Sequence, residues 1–253
     1  MVSTWRAHWG GANFAWLTTQ LGDQGFSPDD GGKEFVWPSY VGTPRDAQQV
    51  IGPGRYPGVS RTAGGGIIAS YDRGDRVENP FGVWDVHSRF KSDLGHRMAL
   101  LFQNVTGLRR NASTPVDWDG PRATAAVLNA DGSVSLTWSL LTTAGGGSGV
   151  YMNGTQDCWE CCDGTRALDT FQLASIAAGP NGTNATRQVW TNATWEYDGK
   201  SGVTLHSVTP PAPEKPWLVV RYAASLWPQC AWYSSSNFVP AMSFSDLVID
   251  AGI

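Results

Sequence analysis

The sequence predicts an α/β layered region over residues 1–112, followed by an antiparallel β-sandwich over residues 113–253. Three observations lead there. In the first part, apolar runs, caps and glycine stops follow the order strand, helix, strand, loop, helix, a spacing that suits one edge of an α/β layer. In the second, no helical pattern remains, and short runs of β-forming residues recur at roughly 10–15-residue intervals between Gly, Pro and Asn, as in a sandwich. Ser113-Thr114-Pro115 marks the change between them.

Taken in order, Ser3 to Trp9 reads as a short helix, and Phe14 to Leu21 is an apolar run ended by Gly22, a buried strand. Residues 22–40 are a polar, Gly-rich loop. At Thr43-Pro44-Arg45 a helix starts, with Thr as N-cap and Pro at the first helical position. Gly52-Pro53-Gly54 breaks it. Gly66 to Tyr71 is a short strand that leaves through Asp72-Arg73-Gly74-Asp75 and leads to Gly82-Val83-Trp84-Asp85-Val86-His87-Ser88-Arg89-Phe90-Lys91. Next, Leu94, Met98, Leu101 and Phe102 fall at i, i+4, i+7 and i+8, one face of an amphipathic helix that Ser92 caps and Gly107 stops. Thr124–Leu128 and Val134–Leu140, joined by Asn129-Ala130-Asp131-Gly132, alternate with period two and read as a hairpin. Ala144–Gly149 is a Gly/Ser loop. Thr170–Ile176, Gln188–Thr191, Gly202–Val208 and Trp217–Tyr222 are further strands.

Composition narrows the function classes. The chain has 253 residues, 41% hydrophobic and 16% charged, as a folded protein does. A net charge of −4 without a basic tract leaves no footprint for nucleic acid, and no apolar run reaches the ~18 residues of a membrane span. Thirteen Trp serve either a core or planar ligands such as sugars, the core being the commoner use. Six Asn-x-Ser/Thr sequons, at Asn104, Asn111, Asn153, Asn181, Asn184 and Asn192, favour the secretory pathway. Four cysteines, Cys158, Cys161, Cys162 and Cys230, suit two disulfides in an oxidising compartment. Zinc at Cys158-x-x-Cys161-Cys162 is the alternative, disfavoured because no His lies at ligand spacing. Met1-Val2-Ser3-Thr4-Trp5-Arg6 has no apolar signal region, so a secreted or lysosomal protein would lack its front end here.

The chemistry centres on Asp85 and His87. Histidine is the usual general base near neutrality, and it needs an acid on its other ring nitrogen to fix the tautomer. Asp85 is nearest; Asp72 and Asp75 are reserves. The bland reading is a surface loop with a chance Asp and His. Gly-x-Ser-x-Gly, Gly-Asp-Ser, Gly-Gln-Ser and Gly-Glu-Ser are absent, and Ser60 and Ser88 lack the sharp strand-to-helix turn of a nucleophile. Residue logic alone leaves a metal-free hydrolase missing a piece, or a non-enzyme.

The segment Asp85-Val86-His87-Ser88 with Lys91 and Gly95-His96-Arg97-Met98-Ala99-Leu100 resembles the D-I-H-P-x-x-K-x-x-V-G-x-R-L-A-L segment of the sialate O-acetylesterase family. Pro44-Arg45-Asp46-Ala47-Gln48 is similar to its L-R-x-A-Q helix, and Asp72-Arg73-Gly74-Asp75 to its D-x-G-D turn. Val220-Arg221-Tyr222-Ala223 resembles V-R-Y-A-W. The stretch Tyr233 to Phe244 is similar to N-x-x-G-L-P-A-x-P-F. The resemblance implies the C-terminal part of a flavodoxin-like SGNH hydrolase domain and a serine esterase that removes acetyl groups from O-acetylated sugars or glycans. His87 would be its catalytic base and Asp85 the partner, with no cofactor or metal. Ser88 departs from the family's Pro, and the blocks holding the nucleophilic Ser and the oxyanion donors have no counterpart. The chain is therefore expected to be a truncated part of such an esterase, whose partner is an N-terminal segment of the same protein. The competing expectation is a catalytically silent carbohydrate-binding protein, with Trp195, Trp227 and Trp232 as candidate platforms.

Overall fold

The computed structural model describes residues 2–8, 15–19, 65–73, 75–78, 84–85, 91–108, 120–139, 150–154, 162, 170–177, 187–209, 219–224, 230–235 and 237–250. Helix α1 spans Val2–His8. Strands β1 (Trp16–Thr19) and β2 (Gly65–Ile68) pair in parallel, Leu17 opposite Gly66 and Thr18 opposite Ile67. A 3-10 turn over Tyr71–Arg73 follows β2 and leads to β3 (Asp75–Glu78), which pairs antiparallel with the two-residue β4 (Trp84–Asp85). Helix α2 (Lys91–Thr106) packs on β2.

The rest is β. The strands are β5 (Arg122–Leu128), β6 (Val134–Ser139), β7 (Val150–Gly154), β8 (Phe171–Ala177), β9 (Arg187–Tyr197), β10 (Gly202–Ser207), β11 (Val219–Tyr222), β12 (Cys230–Ser234) and β13 (Phe244–Val248). Seven of them form one antiparallel sheet in the order β13-β11-β8-β9-β10-β6-β5. Its two ends nearly meet. Asp250, just past β13, bridges Val127 of β5, accepting from Leu128 N–H and donating to Ala126 O, both at 2.8 Å. The sheet thus curls toward a closed barrel, which removes its exposed edges. Strand β12 pairs with β7 in a separate two-stranded ribbon.

These findings correct the expected fold class. Among the described residues, the one parallel strand pair is β1 with β2, and the dominant sheet is antiparallel and nearly closed, its ends joined by an isolated parallel bridge; neither a flavodoxin-like domain nor a sandwich describes it. The physical reason is that alternation identifies a strand and its inner face, whereas curling into a barrel depends on twist and on pairing between distant ends. Most strands of the large sheet were readable. The hairpin turns at Asn129–Gly132 as expected, with Gly132 at φ +83° and the Asp131 carboxylate accepting from Ser133 N–H at 2.9 Å. The helix expected from Thr43, the Ala144–Gly149 loop and Trp227 lie outside the described residues.

One aromatic core fills the barrel. Trp138, Phe171, Tyr222 and Phe244 are buried with ring centroids 5.1–6.1 Å apart in tilted or edge-on contacts, arrangements that add to the burial of their apolar area. Trp232 of β12 is fully buried against Trp138, Trp195 and Tyr197. Ile67, Ala69 and Tyr71 belong to the same core, which therefore takes residues from both sides of position 113. A disulfide joins Cys162 to Cys230, at the start of β12. Of the two disulfides expected, the other cysteines, Cys158 and Cys161, lie outside the described residues.

Candidate functional site

Helix α2 places the central residue. Its inward face is not the all-apolar stripe that the spacing predicts: Leu101 is buried, Phe102 is exposed, and Arg97 takes the buried position one turn before Leu101. A guanidinium is costly to bury without a partner. Asp72, fully buried in the 3-10 turn after β2, supplies it. Arg97 Nη1 and Nη2 donate to Asp72 Oδ1 and Oδ2, each at 2.7 Å, and Nη1 also donates to Ala69 O at 3.0 Å. This is a bidentate, charge-assisted pair, the strong geometry for these groups.

Strand β12 adds a third member. Tyr233 Oη donates to Asp72 Oδ2 at 2.9 Å. A phenol relay lies beside it. Tyr71 Oη donates to Ala241 O at 2.7 Å, and with its single proton so committed it accepts from Tyr222 Oη at 2.9 Å. Tyr222 Oη in turn accepts from Trp232 N–H at 2.7 Å. Every proton in this relay has a defined place.

The electrostatics follow. Burial alone would push the Asp72 carboxyl up, but the Arg97 guanidinium, with help from Arg73 and the Tyr233 hydroxyl, holds it below the usual carboxylate value. Burial would lower Arg97, and Asp72 reverses this to raise it. Burial drives the phenols of Tyr71, Tyr222 and Tyr233 upward, and the Asp72 charge adds to the rise in each. The carboxylate–guanidinium pair stays charged and the phenols stay neutral across the physiological range. The network can position a backbone; it offers no proton to transfer near neutrality.

It ties together the described residues on either side of positions 74–90: Asp72 and Arg73 before them, Asp93 and Arg97 after them. Arg73 reaches Asp93 in the first turn of α2 at 2.9 Å, beside the pair of Asp72 with Arg97 one turn further along the helix. Within the segment, β3 and β4 form a short antiparallel ladder with Asp75 opposite Asp85. Asp85 therefore stands on a strand rather than in the expected loop. His87 lies outside the described residues. Of the reserves for its partner, Asp72 is committed to Arg97 and Tyr233, and Asp75 is the cross-strand neighbour of Asp85.

Two of the three expected sugar platforms have core roles. Trp232 is fully buried, and Trp195 packs against it. Sequence reasoning assigned no role to Tyr71, Arg97, Tyr222 or Tyr233. One signal was present: Arg97 falls three residues after Leu94 and four before Leu101, a charge on the apolar face, which calls for a buried counter-ion. Among the described residues, no group of three or more His, Cys, Asp or Glu could hold a metal ion, and no helix is long and apolar enough to cross a membrane.

No protein-family model matches the chain, and no curated protein matches it.

Proposed function

We propose that this chain supplies the acid–base segment of a carbohydrate O-acetylesterase, with His87 as general base, Asp85 as the acid that orients it, and an O-acetylated sugar or glycan as substrate. One observation supports the reading above the others. Segments far apart in sequence, each similar to a part of the sialate O-acetylesterase pattern, meet in two adjoining buried networks, Asp72 with Arg97 and Tyr233, and Tyr222 with the Ala241 carbonyl through Tyr71. A chance likeness in separate stretches gives no reason for them to bond to one another, around the ends of the segment that carries Asp85 and His87. The proposal concerns that segment and its chemistry; the flavodoxin-like architecture is not part of it. A secretory location belongs to the same proposal and is supported by the Cys162–Cys230 disulfide and the sequons.

In this reading His87 takes a proton from the attacking hydroxyl as it adds to the acetyl carbonyl and gives it to the sugar oxygen as the C–O bond to the acetyl group breaks; water, deprotonated in turn by His87, then cleaves the acetylated hydroxyl and releases acetate. The nucleophile is the part that no recognised serine motif of this sequence supplies. An activated aryl acetate reports on His87 regardless, because an imidazole can itself act on such an ester. With p-nitrophenyl acetate, His87→Ala is expected to remove about 10²-fold or more of the rate above buffer. A wild-type rate equal to buffer, or a variant as fast as the wild type, would end the enzymatic reading.

A further inference from the structure

Of the six sequons, those at Asn104, Asn153 and Asn192 lie on described residues, and their surroundings differ. Asn192 is half-buried on β9, opposite Gln172 of β8, and its Oδ1 accepts from Gln172 Nε2 at 2.6 Å. Gln172 Oε1 accepts in turn from Arg221 Nε at 2.6 Å, and the Arg221 guanidinium lies 4.2 Å over the Trp190 ring. The sequon threonine, Thr194, donates its hydroxyl proton to His206 O at 3.2 Å. Asn153 is half-buried on β7, opposite Ala231 of the fully buried β12.

Asn104 stands in the last turn of α2 and is exposed. By helical period it falls seven residues after Arg97 and three after Leu101, on the face those two bury, so the helix carries that face into water by residue 104. Its carbonyl accepts from Gly107 N–H at 3.3 Å, and Gly107, at φ +68°, ends the helix in the left-handed conformation that suits glycine. Among the described residues, no hydrogen bond holds the Asn104 carboxamide.

We infer that Asn104 carries an N-linked oligosaccharide. The inference rests on the secretory location in the proposed function and not on the esterase chemistry. The donor is a lipid-pyrophosphate-linked oligosaccharide. Asn104 Nδ2 bonds to the anomeric carbon of its first sugar while the bond from that carbon to the pyrophosphate oxygen breaks, and the amide proton leaves with the pyrophosphate. The Thr106 hydroxyl completes the sequon in the unfolded chain; once the helix forms, it donates to Phe102 O at 2.7 Å. Folding then selects among the sites, because a bulky, hydrated group must remain in water. At Asn104 it does so without breaking a contact. At Asn192 it crowds the row of Gln172, Arg221 and Trp190, and at Asn153 it meets a half-buried ladder position.

Peptide mapping of the native protein after enzymatic deglycosylation in heavy-oxygen water reads each sequon separately, because a released site becomes a labelled aspartate. Asn104 is expected to be occupied in most molecules. In the full chain sent through the secretory pathway of a eukaryotic cell, Asn104→Gln and Thr106→Ala should each abolish the label at this site, and Thr106→Ser should keep it. In the unglycosylated full chain made in bacteria, Asn104→Gln should leave Tm within about 2 °C of the wild type, as for a surface side chain without a partner. Label at other sequons with Asn104 bare would overturn the site assignment and leave the secretory location standing. A native protein bare at every sequon would overturn both. A larger fall in Tm would show that the amide is packed, and would overturn the assignment as well.

Discussion

Asp72 and Arg97 show how much can depend on one buried pair. Each is nearly inaccessible, and each is tolerable only because the other is there. Replacing either partner alone strands the remaining charge. Arg97→Met should therefore cost about 3–5 kcal/mol in urea unfolding, and the double variant Asp72→Asn/Arg97→Met should cost less than Arg97→Met alone. A single-variant loss under about 1 kcal/mol would show that water reaches the site, since a solvated pair is worth no more than that. The same pair sets an acid limit. The folded Asp72 value is below the unfolded one, so its stabilisation is complete above the unfolded carboxylate value of about 3.9 and is lost as the pH falls through the lower folded value. Urea midpoints measured from pH 7 downward should stay level until near that value and then decline. Asp72→Asn should remove this contribution to the decline. Arg97 was legible as an anomaly on an apolar helix face. Its partner was not, because Asp72 is 25 residues away and only the fold brings the two together.

Helix α2 and strand β2 meet through a glycine. An added Cβ at Gly66 would come within 2.5 Å of Leu101 Cδ1, and Leu101 is fully buried, so the leucine has little room to turn aside. Gly66→Ala should cost ~1–3 kcal/mol, the range for overpacking a filled site. Leu101→Ala alone should cost ~2–5 kcal/mol through the cavity it leaves. Combined, the two should cost clearly less than their sum, because the new methyl enters the space the leucine vacates. Strict additivity would mean that α2 does not sit on β2 as described. Among strands, those with one wet face were readable from alternation, as in the inward Val134, Leu136 and Trp138 of β6. Strand β12 was missed for the opposite reason. All five of its residues, Cys230 to Ser234, are buried, so no alternation marks it.

For the whole molecule, the phenols set an alkaline limit as Asp72 sets the acid one. Tyr71, Tyr222 and Tyr233 come from three separate parts of the chain, and each titrates above its ordinary value because it is buried. A raised folded value means the stabilisation is complete below the unfolded phenol value near 10 and is lost as the pH rises toward the folded values. Alkaline titration should show a cooperative rise in tyrosinate absorbance coincident with loss of the near-ultraviolet circular dichroism of the aromatic core. Tyrosinate appearing gradually, with the dichroism intact, would contradict the network. Because Tyr71 and Ile67 share this core with Tyr222 and Phe244, residues on both sides of position 113 should unfold in one transition.

The sequence by itself determined where most strands of the large sheet and helix α2 lie and where the 129–132 turn falls. These features are local: they rest on side-chain period, caps and turn residues within a few positions. The tertiary structure decided the rest. It joined the ends of the sheet through Asp250, brought Arg97 and Tyr233 onto Asp72, and buried Trp232 instead of offering it to a ligand. Each of these depends on groups tens to more than a hundred residues apart. A contact of that kind has no period, and it takes its energy from desolvation and geometry that exist only once the chain has closed on itself.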